Sequence, residues 1–194
     1  MMLAMETLQS LEALQYPIGR FDWNGKLSKG DRSKWIRIIA ATPSALRDAI
    51  AGLDEEQLDV PYREGGWTIR QVVHHYADDH LNSYVRFKLA LTEQAPLIKG
   101  YAQTLWAELP DARSGPVSPS LQLLSALHLR WVTAWESLGD EDWQRTFVHP
   151  VRGPVSLDHL AALYAWHGLH HVAQITGLRE RKGWIRAGAR HRSG

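Results

Sequence analysis

Residues 156–183 read SLDHLAALYAWHGLHHVAQITGLRERKG, and this stretch decides the fold class. Ser156 follows Gly153-Pro154-Val155 and carries the hydroxyl of a helix N-cap. From there Leu160, Leu163, Tyr164, Ile175 and Leu178 recur at helical spacing, about 100° per residue, and share one face. The helix is expected to run to about Arg181. Lys and Arg in its last turn suit the dipole, and Gly183 ends it. On the same inward face stand His167 and His171, four residues and one turn apart. Two imidazoles inside an apolar stripe are costly unless something satisfies them. A metal ion does so, because neutral imidazole is a good ligand for zinc, nickel, copper and iron. Hydrogen bonding within a core is the plainer alternative. The metalloprotease pattern puts Glu directly after the first His of such a pair. Here that position is Gly168, so the general base of that chemistry is absent.

Working outward, three more segments read as helices. One runs from about Asp31 to Leu53 on Trp35, Ile38, Ile39, Leu46 and Ile50, with Pro43 expected to kink or break it. A second runs from about Trp67 to Glu93. Gly65-Gly66 precedes it, and Thr68 and Gln71 have the spacing of a capping box. A third takes Ser118 as N-cap and Pro119 as its first residue, continues to Leu138, and stops at Gly139. Its buried stripe is Leu121, Leu124, Leu127 (or His128), Trp131 and Trp135. A long connection, Gln94 to Val117, is expected to hold a short helix around Thr104 to Leu109. Thr146 to Val155 is expected to form a small hairpin around Arg152-Gly153. Four such helices with long inter-helix connections predict an all-α four-helix bundle, where sites form from side chains projecting inward.

The second helix adds a polar stripe. His75 shares a face with Thr68, Asp79, Asn82 and Arg86, while His74 lies about 100° away, near Leu81 and Val85. Such a stripe is either a solvated face or the lining of an internal site, with Asp79 and Asn82 orienting ligands. Periodicity does not separate the two. There are ten histidines in all. His80, His149, His159 and His191 read as surface or hydrogen-bonded core residues, and His128 stays open between a structural role and a place in the pocket.

Bulk properties narrow the function classes. The 194 residues fit one domain. The absence of cysteine rules out a thiolate zinc site, a disulfide framework and a cysteine nucleophile. The net charge of +1 gives no global sign of nucleic acid binding. Charge is uneven: from Arg179 onward there are six Lys/Arg and one Glu, and the remainder carries 16 basic against 20 acidic residues. Residues 1–184 are expected to form the bundle and 185–194 a basic, disordered tail. No run approaches the roughly 18 apolar residues of a membrane span. The start, with Glu6 and Glu12 and no basic residue before Arg20, is unlike a signal peptide. A cytoplasmic protein is expected, with no nucleic acid or membrane partner.

Several blocks together resemble the DinB/YfiT-like family. They are Pro61-Tyr62-Arg63-Glu64-Gly65-Gly66-Trp67-Thr68-Ile69-Arg70-Gln71-Val72-Val73-His74-His75, its continuation from Asp79 to Leu89, Trp106-Ala107-Glu108-Leu109, Leu127-His128-Leu129-Arg130-Trp131, His149-Pro150, and Tyr164 to His171. The likeness covers roughly Tyr16 to Trp184 and is nearest the branch described as metal-dependent hydrolases. The resemblance implies an up-down-down-up bundle, often dimeric, with a three-histidine metal site. One ligand comes from the second helix eight residues after the tryptophan, here Trp67 to His75. The other two are the His-x3-His pair, here His167 and His171. Related members transfer low-molecular-weight thiols, including bacillithiol, or are thiol-dependent isomerases.

The expectation is therefore an enzyme with one divalent transition metal, zinc or nickel, held by His75, His167 and His171 and activating water or a thiolate from a low-molecular-weight thiol cosubstrate. Three histidines leave a coordination position open. Asp79, Asn82 and Arg86 are candidates to orient ligands or hold a small-molecule substrate, and a homodimer is expected. The alternative is a non-catalytic metal-binding module of the stress response, which would use the same three histidines. A pocket beside the metal separates the two.

Overall fold

The computed structural model describes residues 11–23, 25 and 28–184; the basic tail and His191 lie outside the described residues. Four long helices dominate: α1 (Lys29–Ile50), α2 (Ile69–Thr92), α3 (Ser118–Glu136) and α4 (Leu157–Lys182). Their starts are set by local chemistry. Ser28 with Asp31, and Thr68 with Gln71, form complete capping boxes, in which each side chain satisfies a backbone N–H that has no partner inside the helix. The Ser156 hydroxyl accepts from the His159 amide at 3.2 Å, and Gly183 closes α4 in the left-handed region at φ 66°.

Four expectations about helices are corrected or narrowed. Pro43 neither breaks nor ends α1, which is continuous through it. Proline has no N–H to give to the carbonyl four residues back, and that carbonyl, on Ile39, accepts instead from Nδ1 of His128 at 2.7 Å. Ser118 is the first residue of α3 and not its cap, because the first helical bond runs from the Leu121 amide to the Val117 carbonyl. The helix also ends at Glu136, short of Gly139, whose amide donates to the Asp142 carboxylate at 2.9 Å. The connection after α2 holds two short helical turns, Gln103–Trp106 and Pro110–Ser114, where a single one was expected; Pro110 starts the second. The hairpin forms near its expected place, as β1 (Thr146–His149) paired antiparallel with β2 (Gly153–Ser156), Phe147 opposite Val155.

Side-chain partners fix the helix directions. Arg32 meets Asp158 and Arg179 meets Ala49, so α1 and α4 run parallel. His74 meets Ser120 and His80 meets His128, so α2 and α3 run parallel. Asp79 meets Tyr164 while His75 packs on His171, which makes α2 antiparallel to α4. The bundle is up-down-down-up. Two parallel consecutive helices need a return along the bundle, which explains the long connection between α2 and α3. It is pinned to the hairpin, where the Ile98 amide donates to the Val148 carbonyl and the Val148 amide to the Pro96 carbonyl.

The core divides into two apolar blocks. One gathers Ile39, Phe87, Trp131, Trp135 and Leu160; the other gathers Leu46, Val72, Tyr76, Leu124 and Ile175. Between them, at mid-height, lies a belt of imidazoles from α2, α3 and α4. No helix among the described residues is long and apolar enough to cross a membrane.

Candidate metal centre

His75, on α2, and His167 and His171, on α4, bring ring nitrogens within 4.8 Å of one another. His75 and His171 are buried and the His167 side chain is 13% exposed. His75 is held by packing: its ring lies 4.6 Å from the Trp67 ring and 5.0 Å from that of His171. The other two are held by hydrogen bonds through Nδ1. His171 Nδ1 donates to Oε1 of Gln174 at 2.8 Å. The amide of Gln174 is itself fixed, because its Nε2 donates to the Gln15 carbonyl and to Nε2 of His170. His167 Nδ1 lies 3.1 Å from Nε2 of His80. The Nε2 atoms of His167 and His171 thus face each other at 3.1 Å.

Burial holds all three rings below the ordinary imidazole value, and strongly so for His167 and His171, where neighbouring imidazoles add to the effect. At His75 the charge of Asp79 opposes it. These rings are therefore neutral near pH 7 and offer lone pairs, the form in which imidazole ligates a metal. Two nitrogens each about 2.0–2.1 Å from one ion, as zinc requires, sit roughly 2.8–3.4 Å apart at octahedral to tetrahedral angles, which brackets the 3.1 Å between His167 and His171. The donor set fits a divalent ion of the zinc or nickel kind.

His74 is turned elsewhere. Its Nε2 donates to the Gly115 carbonyl at 3.2 Å and its Nδ1 accepts from the Ser120 hydroxyl at 2.8 Å, so neither nitrogen is free to ligate. Asp79 stands beside the cluster, with Oδ2 3.5 Å from Nε2 of His167. Tyr164 donates to Oδ2 at 2.7 Å and Tyr101 to Oδ1 at 3.0 Å, holding the carboxylate against the cleft wall. Arg86 lines the same cleft. Asn82 does not: its side chain donates to the Asp78 carbonyl at 2.8 Å, one turn back on its own helix. A helical wheel placed it beside Asp79 and could not register that it bonds its own backbone.

The cleft over the cluster has a volume of about 990 Å³. Arg86 and Arg152 line it and make no ion pair among the described residues. His149 also lines it, with Nδ1 accepting from the amides of Val151 and Arg152 in the hairpin turn. The floor is tight. A methyl group at Gly168 would sit 2.6 Å from Oγ1 of Thr42 and 2.7 Å from the Tyr76 hydroxyl. This is the position where a metalloprotease has its glutamate, and a side chain here would have to displace Thr42 or Tyr76.

Sequence reasoning did not find Gln174, Tyr101 or Tyr164 as site residues. Gln174 had a readable signal, because it lies three residues after His171 on the same helix face. Tyr101 had none, since it comes from the crossover.

Residues 38–175 match the model of the DinB superfamily. A protein of Bacillus mycoides bearing the name "Putative metal-dependent hydrolase" is 52% identical over 174 residues, 90% of this chain and 100% of that protein. One of the same name from Bacillus cereus is 52% identical over 171 residues, 88% of this chain and 98% of its own length. Among solved structures, YfiT from Bacillus subtilis, described as a "probable metal-dependent hydrolase with an unusual four-helix bundle topology", superposes with a TM-score of 0.87 at 45% identity, covering 89% of this chain and 99% of its own. The four-helix bundle protein TT2238 superposes at a TM-score of 0.50 with 22% identity over 73% of this chain and 94% of its own, a likeness of fold alone.

Proposed function

The chain belongs to the DinB superfamily, and from that premise we propose that it is a metal-dependent enzyme, a hydrolase or a transferase of a low-molecular-weight thiol, whose ion is held by His75, His167 and His171. The observation that carries this reading is the facing pair of Nε2 atoms, 3.1 Å apart beside His75, at the base of a cleft large enough for a small molecule. Cleft volume favours an enzyme over a closed metal-binding module. A zinc- or nickel-like ion bound there would act as a Lewis acid that lowers the pKa of a coordinated water or thiol.

The chain's own residues supply the rest. Asp79 keeps a carboxylate at the cleft wall, oriented by two tyrosine hydroxyls, and in our reading accepts the proton that a water or thiol nucleophile gives up. Arg86 and Arg152, without carboxylate partners among the described residues, hold an anionic group of the substrate. Position 168 is glycine, so the base does not come from the metalloprotease position.

Cobalt in place of the native metal provides the test. Adding a low-molecular-weight thiol or a small anion should change the visible spectrum, and the change should vanish in His171→Ala. A cobalt spectrum indifferent to every thiol and anion would mean a closed site and would overturn the enzymatic reading. A response to thiols with turnover of electrophiles selects the transferase; turnover with water alone selects the hydrolase.

A further inference from the structure

We infer that His128 and His80 are positioning residues that fix which nitrogen of His167 carries its proton, through a chain of hydrogen bonds anchored on the Ile39 carbonyl. The inference deepens the three-histidine reading and rests on it only where metal affinity is concerned.

The direction of each hydrogen bond follows from the first. A neutral imidazole has one N–H and one lone pair. A backbone carbonyl only accepts, so Nδ1 of His128, 2.7 Å from the Ile39 oxygen, is the donor. Nε2 of His128 is then the acceptor, and Nδ1 of His80, 2.8 Å away, donates to it. Nε2 of His80 is left with a lone pair, and Nδ1 of His167, 3.1 Å away, donates in turn. Nε2 of His167 is left unprotonated, facing His171. One fixed carbonyl thus sets three rings on three helices.

The carbonyl is available because of Pro43. In an ordinary helix the amide four residues on would take it, and proline has none. The chain is also sealed: His80 is 0% and His128 2% exposed, so water does not offer the rings alternative partners. The His80 ring lies against Tyr76 on one side and His128 on the other, with ring centroids 4.5 and 4.9 Å away, which fixes its plane.

Removing the acceptor at position 128 leaves the His80 Nδ1–H buried without a partner. His80 then gains by moving its proton to Nε2, where it opposes the Nδ1–H of His167. His167 is pushed to the Nε2–H form, which cannot ligate through that nitrogen. Loss of such an orienting partner typically weakens metal binding about 10–100-fold.

The test begins with the metal-free wild type, labelled with 15N at histidine and read by long-range 1H–15N correlation. His128, His80 and His167 should all show protonated Nδ1 and unprotonated Nε2. An Nε2–H form at His80 or His167 would overturn the inference. Zinc affinity is then measured by chelator competition. His128→Phe should lose about 10–100-fold, and His128→Gln, whose amide can both donate to Ile39 and accept from His80, should recover most of it. Wild-type affinity in His128→Phe would also overturn the inference. If the tautomers are as stated but the wild type takes up no zinc, the relay stands and the metal site falls.

Discussion

Nε2 of His167 lies 3.1 Å from Nε2 of His171, while the Nδ1 atoms of the two rings turn away, toward His80 and Gln174. Two lone pairs at that distance repel unless something positive lies between them. In our proposal the partners of Nδ1 therefore favour a cation there as much as the two facing nitrogens do.

Gln174 gives the first prediction. Its Oε1 holds the His171 proton on Nδ1, and its own donors are already used. Gln174→Leu should weaken zinc binding by about 10–100-fold while leaving the helical circular dichroism intact. Chelator competition measures it, and unchanged affinity would mean that His171 needs no such partner.

Gly168→Ala should destabilise the metal-free fold by about 1–3 kcal/mol. The new methyl group would meet Thr42 Oγ1 at 2.6 Å and the Tyr76 hydroxyl at 2.7 Å, and the expected relief is a shift of α4 away from α1 and α2. A urea unfolding midpoint equal to that of the wild type would show that those side chains simply rotate aside.

At the far end of the bundle, Arg32 grips Asp158 with two bonds, of 2.8 and 3.0 Å, and Gln144 adds a third, of 2.8 Å. Asp158 is 1% exposed. Arg32→Ala leaves a buried carboxylate with one neutral partner and should cost about 3–5 kcal/mol in chemical denaturation. A loss below about 1 kcal/mol, the range of a surface pair, would contradict this.

The buried imidazoles make the metal-free protein acid-sensitive. Burial pushes His128 and His170 down to about 4, from 6.5. Below pH 6.5 the unfolded chain takes up protons that the folded chain refuses, so stability falls as pH drops toward 4 and is level above 7. His128 alone accounts for on the order of 3 kcal/mol across that window. Urea midpoints taken from pH 7.5 to 4.5 should fall for the wild type and fall less steeply in His128→Gln. An equally steep fall in that variant would assign the effect to other groups.

What the sequence made legible was mostly what is local. Thr68 with Gln71, and Ser156 before α4, are caps decided within four residues, and they form where expected. The His167–His171 pair was legible because helical spacing alone puts both on one face with Leu160, Tyr164 and Ile175. Pro43 does not break α1, and its consequence is not local: the partner of the orphaned Ile39 carbonyl, His128, lies 89 residues away. For the same reason His80 read only as a surface or hydrogen-bonded core histidine, and His128 stayed open between a structural role and a place in the pocket. Asn82 shared a face with Asp79 on the wheel, yet its amide bonds its own helix.

Metal content tests the assignment of His75, His167 and His171 most directly. Untagged wild type and the variants His74→Ala, His75→Ala, His167→Ala and His171→Ala would be loaded with zinc, dialysed against metal-free buffer and analysed for metal by mass spectrometry. The wild type and His74→Ala should retain close to one ion per chain, because His74 spends both nitrogens on Gly115 and Ser120. The other three should retain little. Zinc lost from His74→Ala but kept by His75→Ala would contradict the assignment.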